Sequence, residues 1–173
     1  MLATVEAARG AVGVGHSAPT GTLRVTAPAS FGRLHLVPAL KGFMAAYPEL
    51  TVDFRFSDSI IDMVEGGFDV AIRLAELKDS TLVARKLAPD RRIIVASPEY
   101  LEKHGTPKTP QELAEHECVT LMGLDNWVFE TPDGHYAMRA SGSFRTDNGD
   151  AMRDACIDGL GVSINSIWSV YSK

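Results

Sequence analysis

Three strand patterns alternate with two helical patterns between Gly21 and Arg73, and this order restricts the fold more than any other feature. Residues 23–27 and 51–56 alternate apolar and polar side chains, and residues 69–73 form a short apolar run. Apolar side chains at helical spacing occupy 36–47, and a shorter helical pattern covers 60–64. Short strands joined by helices favour a parallel sheet that is covered on both faces, with right-handed crossovers.

A second α/β unit follows the first. Thr131-Pro132-Asp133-Gly134 has the composition of a tight turn and predicts a hairpin between 126–130 and 135–139. Asp147-Asn148 can cap a helix that Gly159 ends. The remaining predicted elements are strands at 81–87, 92–96, 118–122, 143–146 and 162–164, and helices that begin at Pro98, Thr109 and Ile167.

The chain therefore divides into three parts. Residues 1–20 combine a short helical pattern with a linker rich in Gly, Ser and Pro, residues 21–89 form the first lobe, and residues 90–173 form the second. We expect the helical pattern at 2–12 to be the tail of a longer helix, because a helix this short is marginal alone.

Charge and composition exclude several classes of protein. The net charge is −5 and the longest basic run is Arg91-Arg92, which argues against direct nucleic-acid binding. No stretch approaches the roughly 20 apolar residues of a membrane helix, and the first residues do not form a secretory signal. The two cysteines are too few for a disulfide framework, so a cytoplasmic setting is expected.

Catalytic, metal and cofactor motifs are absent from the sequence. Residues 13–18 match the loose dinucleotide pattern GxGxxA, but no strand precedes them and no helix follows. There is no GxSxG, HExxH or GxxxxGK[ST], and the histidines are scattered. Cys118 and Cys156 lie in apolar surroundings typical of packing residues. We therefore expect no enzyme activity, no catalytic residue, no metal and no cofactor.

Ser30 lies between the first strand and the first helix, where unpaired backbone N–H groups and the helix dipole suit an anion. Two interpretations stay open from the local sequence. Ser30 either contacts a ligand or is a helix N-cap, which most helices need.

The ordered series of motifs resembles one known family. "LRVTAPASFG", "LVPAL", "DMVEGGFDVAIR" and "LVARKL" in the first half, and "IVASPEYLEKHGTPKTPQELAEHECV" and "SGSFRTDNGDAMRDACIDGLGVSI" in the second, resemble the effector-binding domain of LysR-type transcriptional regulators. The resemblance covers residues 22–169. It implies an α/β fold of two Rossmann-like lobes, like that of type 2 periplasmic binding proteins, with the ligand in the cleft between them.

The resemblance also implies partners. A small molecule, expected to be a carboxylate, binds in the cleft, and the protein forms a dimer or tetramer. DNA binds only through a winged helix-turn-helix that these residues do not contain, and we expect the chain to be truncated at both ends. The alternatives are a periplasmic-type solute-binding protein and a fragment without function of its own.

Six residues are candidates for effector contact. Ser30 and Phe31 match family positions at the start of the first helix, and Asp147 and Asn148 open the equivalent helix of the second lobe. Arg73 follows the third strand and could bind a carboxylate, or form a surface ion pair with Glu76 or Asp79. Trp127 is a candidate cleft wall, although buried aromatic residues are more often part of a core. For Asp147 and Asn148 the alternative is a plain N-cap.

Overall fold

A computed structural model of the chain describes residues 18–58, 66–74 and 82–170. The predicted segment 2–12 and the predicted helix at 60–64 lie outside these residues. The described residues form two α/β lobes, as the sequence predicts. None of the helices in these ranges is long and apolar enough to cross a membrane.

The first lobe is built on a parallel three-stranded sheet. The strands are β1 (Gly21–Ala27), β2 (Leu50–Phe56) and β3 (Val70–Ala71), in the order β2-β1-β3. Ala27 at the end of β1 pairs with Phe56 at the end of β2. The carboxyl ends of these two strands therefore lie side by side, which is where α/β sheets bind ligands.

The first helix, α1, is continuous but contains an irregular turn. It consists of an α-helical turn at Ala29–Phe31, a π-helical turn at Gly32–Leu36 and a regular α-helix at Val37–Ala46. A Cβ atom on Gly32 would collide with the ring of Phe56, so glycine allows α1 to approach β2 with the Phe56 ring in its present position.

The second lobe contains three pairs of strands. β4 (Arg92–Val95) pairs antiparallel with β9 (Ser163–Ser166), and β5 (Thr120–Leu121) pairs parallel with β8 (Arg145–Thr146). β6 (Asn126–Thr131) and β7 (Gly134–Arg139) form the predicted hairpin. The hydroxyl of Thr131 donates to the carbonyl of Gly134 at 2.7 Å and closes the two-residue turn.

The helices of the second lobe begin at capping residues. α2 (Pro98–His104) starts after Ser97, whose hydroxyl accepts from the Tyr100 N–H at 3.2 Å. α3 (Gly149–Ile157) and α4 (Ile167–Val170) begin close to the predicted positions. The helix predicted after Thr109 is only a 3-10 turn at Glu112–Glu115.

The predicted strand at 81–87 is wrong over its described part. Residues 82–90 have no regular structure, and all of them are exposed. A segment with strand-forming residues becomes a strand only where a neighbouring strand is available to pair with it and a core is available to bury one face.

The hydrophobic core lies mainly in the second lobe. Its main cluster combines seven buried residues from several elements: Tyr100, Leu113, Cys118, Trp127, Met138, Ala140 and Val162. A second cluster of Val119, Met152 and Ala155 packs α3 against the adjoining strands. α3 is therefore held firmly by the core of its own lobe, while its first residue faces the other lobe.

Candidate functional site

The starts of α1 and α3 meet at one side chain, Asp58, which follows β2. One carboxylate oxygen of Asp58 accepts from the Ala29 N–H at 2.8 Å, and the other accepts from the Gly149 N–H at 3.0 Å. Ala29 belongs to the first lobe and Gly149 to the second. A single carboxylate therefore bonds to unpaired N–H groups of two helix starts, the arrangement that helix dipoles favour for an anion.

Ser30 lies beside this bridge, inside the first turn of α1. The N-cap of that turn is Pro28, so the alternative interpretation of Ser30 as the N-cap is wrong. Ser30 is only 6% exposed and its hydroxyl has no hydrogen-bond partner. A Cβ built on Gly149 would lie 3.7 Å from this hydroxyl and 3.8 Å from Asp58 Oδ2, so both groups lie close to Gly149.

A cavity of about 200 Å³ opens at this junction. Its lining combines the start of α1 and the end of β2 with the residues that precede α3: Ala29, Phe56, Ser57, Asp58, Asp147 and Asn148. The structure thus brings together the predicted residues Asp147 and Asn148 and the start of α1. Asp147 and Asp58 place two carboxylates on the cavity wall.

Asn148 also has the structural role that the sequence allowed. Its side-chain oxygen accepts from the Ala151 N–H at 2.9 Å, which makes Asn148 the N-cap of α3. The capping bond fixes the direction of the first turn of α3 and, with it, the Gly149 N–H that Asp58 binds.

Arg73 lies near Asp58 but does not line the cavity. Its guanidinium donates to the Thr26 hydroxyl and to the Ile72 carbonyl, each at 3.2 Å. Burial lowers the pKa of Arg73, and the neighbouring charge of Asp58 raises it. Its proposed ion-pair partners, Glu76 and Asp79, lie outside the described residues.

Phe31 contacts the end of the second lobe rather than the cavity. Its ring lies 5.0 Å from that of His35 and 5.3 Å from that of Trp168, centroid to centroid, and the Trp168 ring is in edge-on geometry. Phe31 and His35 belong to α1, whereas Trp168 belongs to α4. This cluster joins the lobes next to the site.

Trp127, predicted as a possible cleft wall, lies in the core of the second lobe. It is 3% exposed and packs in the main hydrophobic cluster. The prediction is corrected because β6 directs this side chain into the core, the position that the alternative interpretation gave it.

A second polar link between the lobes runs beside the first. Arg33 in the π-helical turn of α1 contacts Asp150 of α3 at 3.3 Å, and Arg153 contacts the same carboxylate at 3.1 Å. The Arg33 side chain is 57% exposed, so this ion pair contributes little to stability.

Asp58 is the residue that the sequence did not single out for the site. The available signal was its position two residues after the end of β2, next to the end of β1 in a parallel sheet, where cleft residues are expected.

The other reactive side chains offer no second site. Burial raises the pKa of the Cys118 thiol and of the Cys156 thiol, which keeps both protonated as packing residues near neutral pH. Within the described ranges, no group of three or more His, Cys, Asp or Glu side chains could hold a metal ion.

Comparison with known proteins identifies relatives of the whole described region. The family model of the LysR substrate binding domain matches residues 16–172. The HTH-type transcriptional regulator DmlR of Escherichia coli K12 is 34% identical over 156 residues, which are 88% of this chain and 51% of that protein. The transcriptional activator TtdR of the same strain is 32% identical over 156 residues, with 88% and 50% coverage.

Solved structures agree in fold. The structure of CrgA, a LysR-type transcriptional regulator from Neisseria meningitidis, matches with a TM-score of 0.77 and 33% identity, over 98% of this chain and 57% of that one. The CrgA regulatory domain matches with a TM-score of 0.74, 34% identity and coverage of 88% and 76%. The chain spans about half the length of the curated relatives it matches.

Proposed function

Since the chain belongs to the family of LysR substrate-binding domains, we propose that it is the effector-sensing part of a LysR-type transcriptional regulator. The effector is a small molecule with a carboxylate group, and it binds in the cleft between the lobes. The relatives are named as transcriptional regulators, which supports a regulatory rather than an enzymatic role.

One observation carries the proposal of a carboxylate in the cleft. Two helix starts, one from each lobe, direct their N–H groups at the same point, and the group bound there is the carboxylate of Asp58. The hydroxyl of Ser30, which has no hydrogen-bond partner, is buried close to Gly149 and is the third donor of the proposed site. Three donors around one position match the several acceptor sites of a carboxylate.

The same geometry supports a mechanism of signalling. The lobes can adopt two relative orientations, and an effector that binds both helix starts favours one of them. In the full regulator, contacts within a dimer or tetramer carry this change to winged helix-turn-helix domains on DNA in the cytoplasm. The effector biases the equilibrium only by its difference in affinity for the two orientations.

The proposal is tested by calorimetry of the 173-residue chain with a panel of aliphatic and aromatic carboxylates. We expect Ser30→Ala to weaken binding about ten-fold, because it removes one hydrogen bond to a charged group. We expect it to leave the melting temperature unchanged or raised, because the hydroxyl it removes has no partner in the protein.

Ser97→Ala is the matched control, since Ser97 is also a buried serine at a helix start, but belongs to α2. Loss of its cap should cost about 1 kcal/mol of stability and leave binding unchanged. Binding of the panel that is equally strong in wild type and in Ser30→Ala would show that the effector does not occupy this cleft.

A further inference from the structure

We infer that Asp58 is an internal competitor of the effector: its carboxylate fills the anion position shared by the two helix starts, and an effector carboxylate enters by displacing it. The inference rests on the proposed function and adds to it the regulation of the same site. It concerns a residue of the protein that holds the lobes together when no effector is bound.

Asp58 occupies two backbone donors at the helix starts. The Ala29 N–H and the Gly149 N–H each bind one oxygen of Asp58, at 2.8 and 3.0 Å. Both bonds join an ionised acceptor to N–H groups at helix starts, where the interaction is stronger than between neutral groups. A second carboxylate cannot use these two N–H groups while Asp58 remains in place.

Asp58 leaves the neighbouring Ser30 hydroxyl without a hydrogen bond. The hydroxyl of Ser30 is buried beside Gly149 and Asp58, yet neither oxygen of Asp58 accepts from it. A buried hydroxyl without a partner costs about 1–3 kcal/mol. The internal carboxylate therefore leaves one donor of the position unused, and an effector carboxylate that reaches all three donors has a reason to replace it.

Asp58 is also one of the polar links between the two lobes. Among the described polar contacts between α1 and α3 and their starts, the only other link is the pair of Arg33 and Asp150, which is largely exposed. Asp58 is thus the better-shielded of the two polar links. When an effector displaces Asp58, the link between the two helix starts is made by the ligand instead of by the protein. The strength of the contact between the lobes then depends on the effector.

Competition of this kind lowers the apparent affinity for the effector. The apparent dissociation constant equals the intrinsic constant divided by the fraction of molecules in which Asp58 has left the position. Removing the carboxylate of Asp58 should therefore tighten binding of an external carboxylate. Removal of a residue that binds the ligand directly would weaken binding.

The test compares acetate and succinate binding to the 173-residue chain and its variants at constant ionic strength, by calorimetry and by the amide NMR signals of Ala29 and Gly149. Asp58→Asn should bind the effector-like anions at least ten-fold more tightly than wild type. The Gly149 amide signal should move in the free variant and return towards its wild-type position on addition of acetate.

Asp147→Asn is the charge-matched control. Asp147 lines the same cavity, and its substitution removes the same charge without vacating the helix starts. We expect Asp147→Asn to increase the affinity for the anions at most three-fold, because it removes only the charge repulsion between Asp147 and the anion. Equal gains in both variants would overturn the competitor role and leave the proposed function standing, and so would weaker binding to Asp58→Asn.

Two further measurements keep the outcome decisive if Asp58→Asn does not fold. Asp58→Ser, which also lacks the charge, should show the same gain. In the wild-type chain, saturating succinate should shift the carboxylate ¹³C signal of Asp58, whereas an unchanged signal on binding would overturn displacement. Absence of binding of any carboxylate to wild type and to every variant would overturn both the inference and the proposed ligand class.

Discussion

Gly149 has no side chain at the point where the two helix starts meet. A Cβ atom added there would make ordinary van der Waals contacts, at 3.7 Å to the Ser30 hydroxyl and 3.8 Å to an Asp58 oxygen. The absence of a side chain is therefore not required by the fold at this point. A methyl group at this position would contact both Ser30 and Asp58.

We expect Gly149→Ala to separate stability from binding. Alanine should raise the free energy of unfolding, by up to about 1 kcal/mol, because glycine is a poor helix former. The added methyl should lower carboxylate affinity about ten-fold, since it occupies the space beside Ser30. Thermal melting and calorimetry on the same variant measure both effects.

Gly42→Ala provides the matched control, because a Cβ at Gly42 in α1 meets no atom within 4 Å. It should stabilise the protein to a similar extent and leave binding unchanged. A loss of affinity in Gly42→Ala as large as that in Gly149→Ala would mean that helix stability, rather than the volume beside Ser30, controls binding.

At the residue scale, the sequence predicted the site only in part. Ser30, Asp147 and Asn148 lie at or beside the cavity because helix starts are marked by local signals that a sequence displays. Asp58 was not predicted, because its contact with Gly149 joins residues 91 positions apart. Trp127 was misplaced because an aromatic side chain has the same local signal in a core and in a cleft wall.

At the scale of elements, the N-cap of α3 links folding to the site. Asn148 caps the helix that presents the Gly149 N–H, and the capping bond is the only one that the structure gives its side chain within the described part of the chain. The order of strands and helices was predicted because hydrophobic period and turn chemistry are local properties.

We expect Asn148→Ala to lower the free energy of unfolding by about 1 kcal/mol, because the Ala151 N–H loses its partner. Asn148→Ser, which keeps an acceptor, should recover most of this loss. Chemical denaturation of the three proteins measures the difference. An alanine variant as stable as wild type would show that the capping bond is not formed in solution.

Residues 82–90 contain the described part of the predicted strand that the structure does not form. The segment contains strand-forming apolar side chains, but Leu82, Val83 and Leu87 are all exposed, and no described strand pairs with them. Strand formation depends on partners from elsewhere in the chain, which no local pattern supplies.

At the scale of the whole molecule, the two lobes differ in how much core they contain. Among the described residues of the first lobe, Val25 and Ala27 are the buried hydrophobic residues, whereas the second lobe buries eleven. The regular part of α1, Val37–Ala46, has no buried residue. Overall architecture was nonetheless predictable, because the resemblance extends through residues 22–169 and includes both lobes.

This asymmetry predicts uneven protection from hydrogen exchange. The amides of Val119 and Val162, which bond across the core at 2.8 and 2.9 Å, should be among the slowest to exchange. Amides of Val37–Ala46 should exchange at least ten-fold faster, because little apolar burial opposes local opening. Exchange mass spectrometry or NMR measures this directly, and equal protection in both regions would contradict the prediction.

The π-helical turn at Gly32–Leu36 changes the rotation of one end of α1 about the helix axis relative to the other end. In a regular α-helix of the same length, the side chains at the two ends would point in different relative directions. A π-helical turn accommodates one residue more than an α-helical turn, and an α-helix rotates about 100° per residue. If one residue of this turn were deleted and the turn became regular α-helix, the main effect would be to rotate one end of α1 relative to the other rather than to shorten the helix. Ser30 would keep its present direction, while the side chains beyond Val37 would rotate by about a quarter-turn around the helix axis.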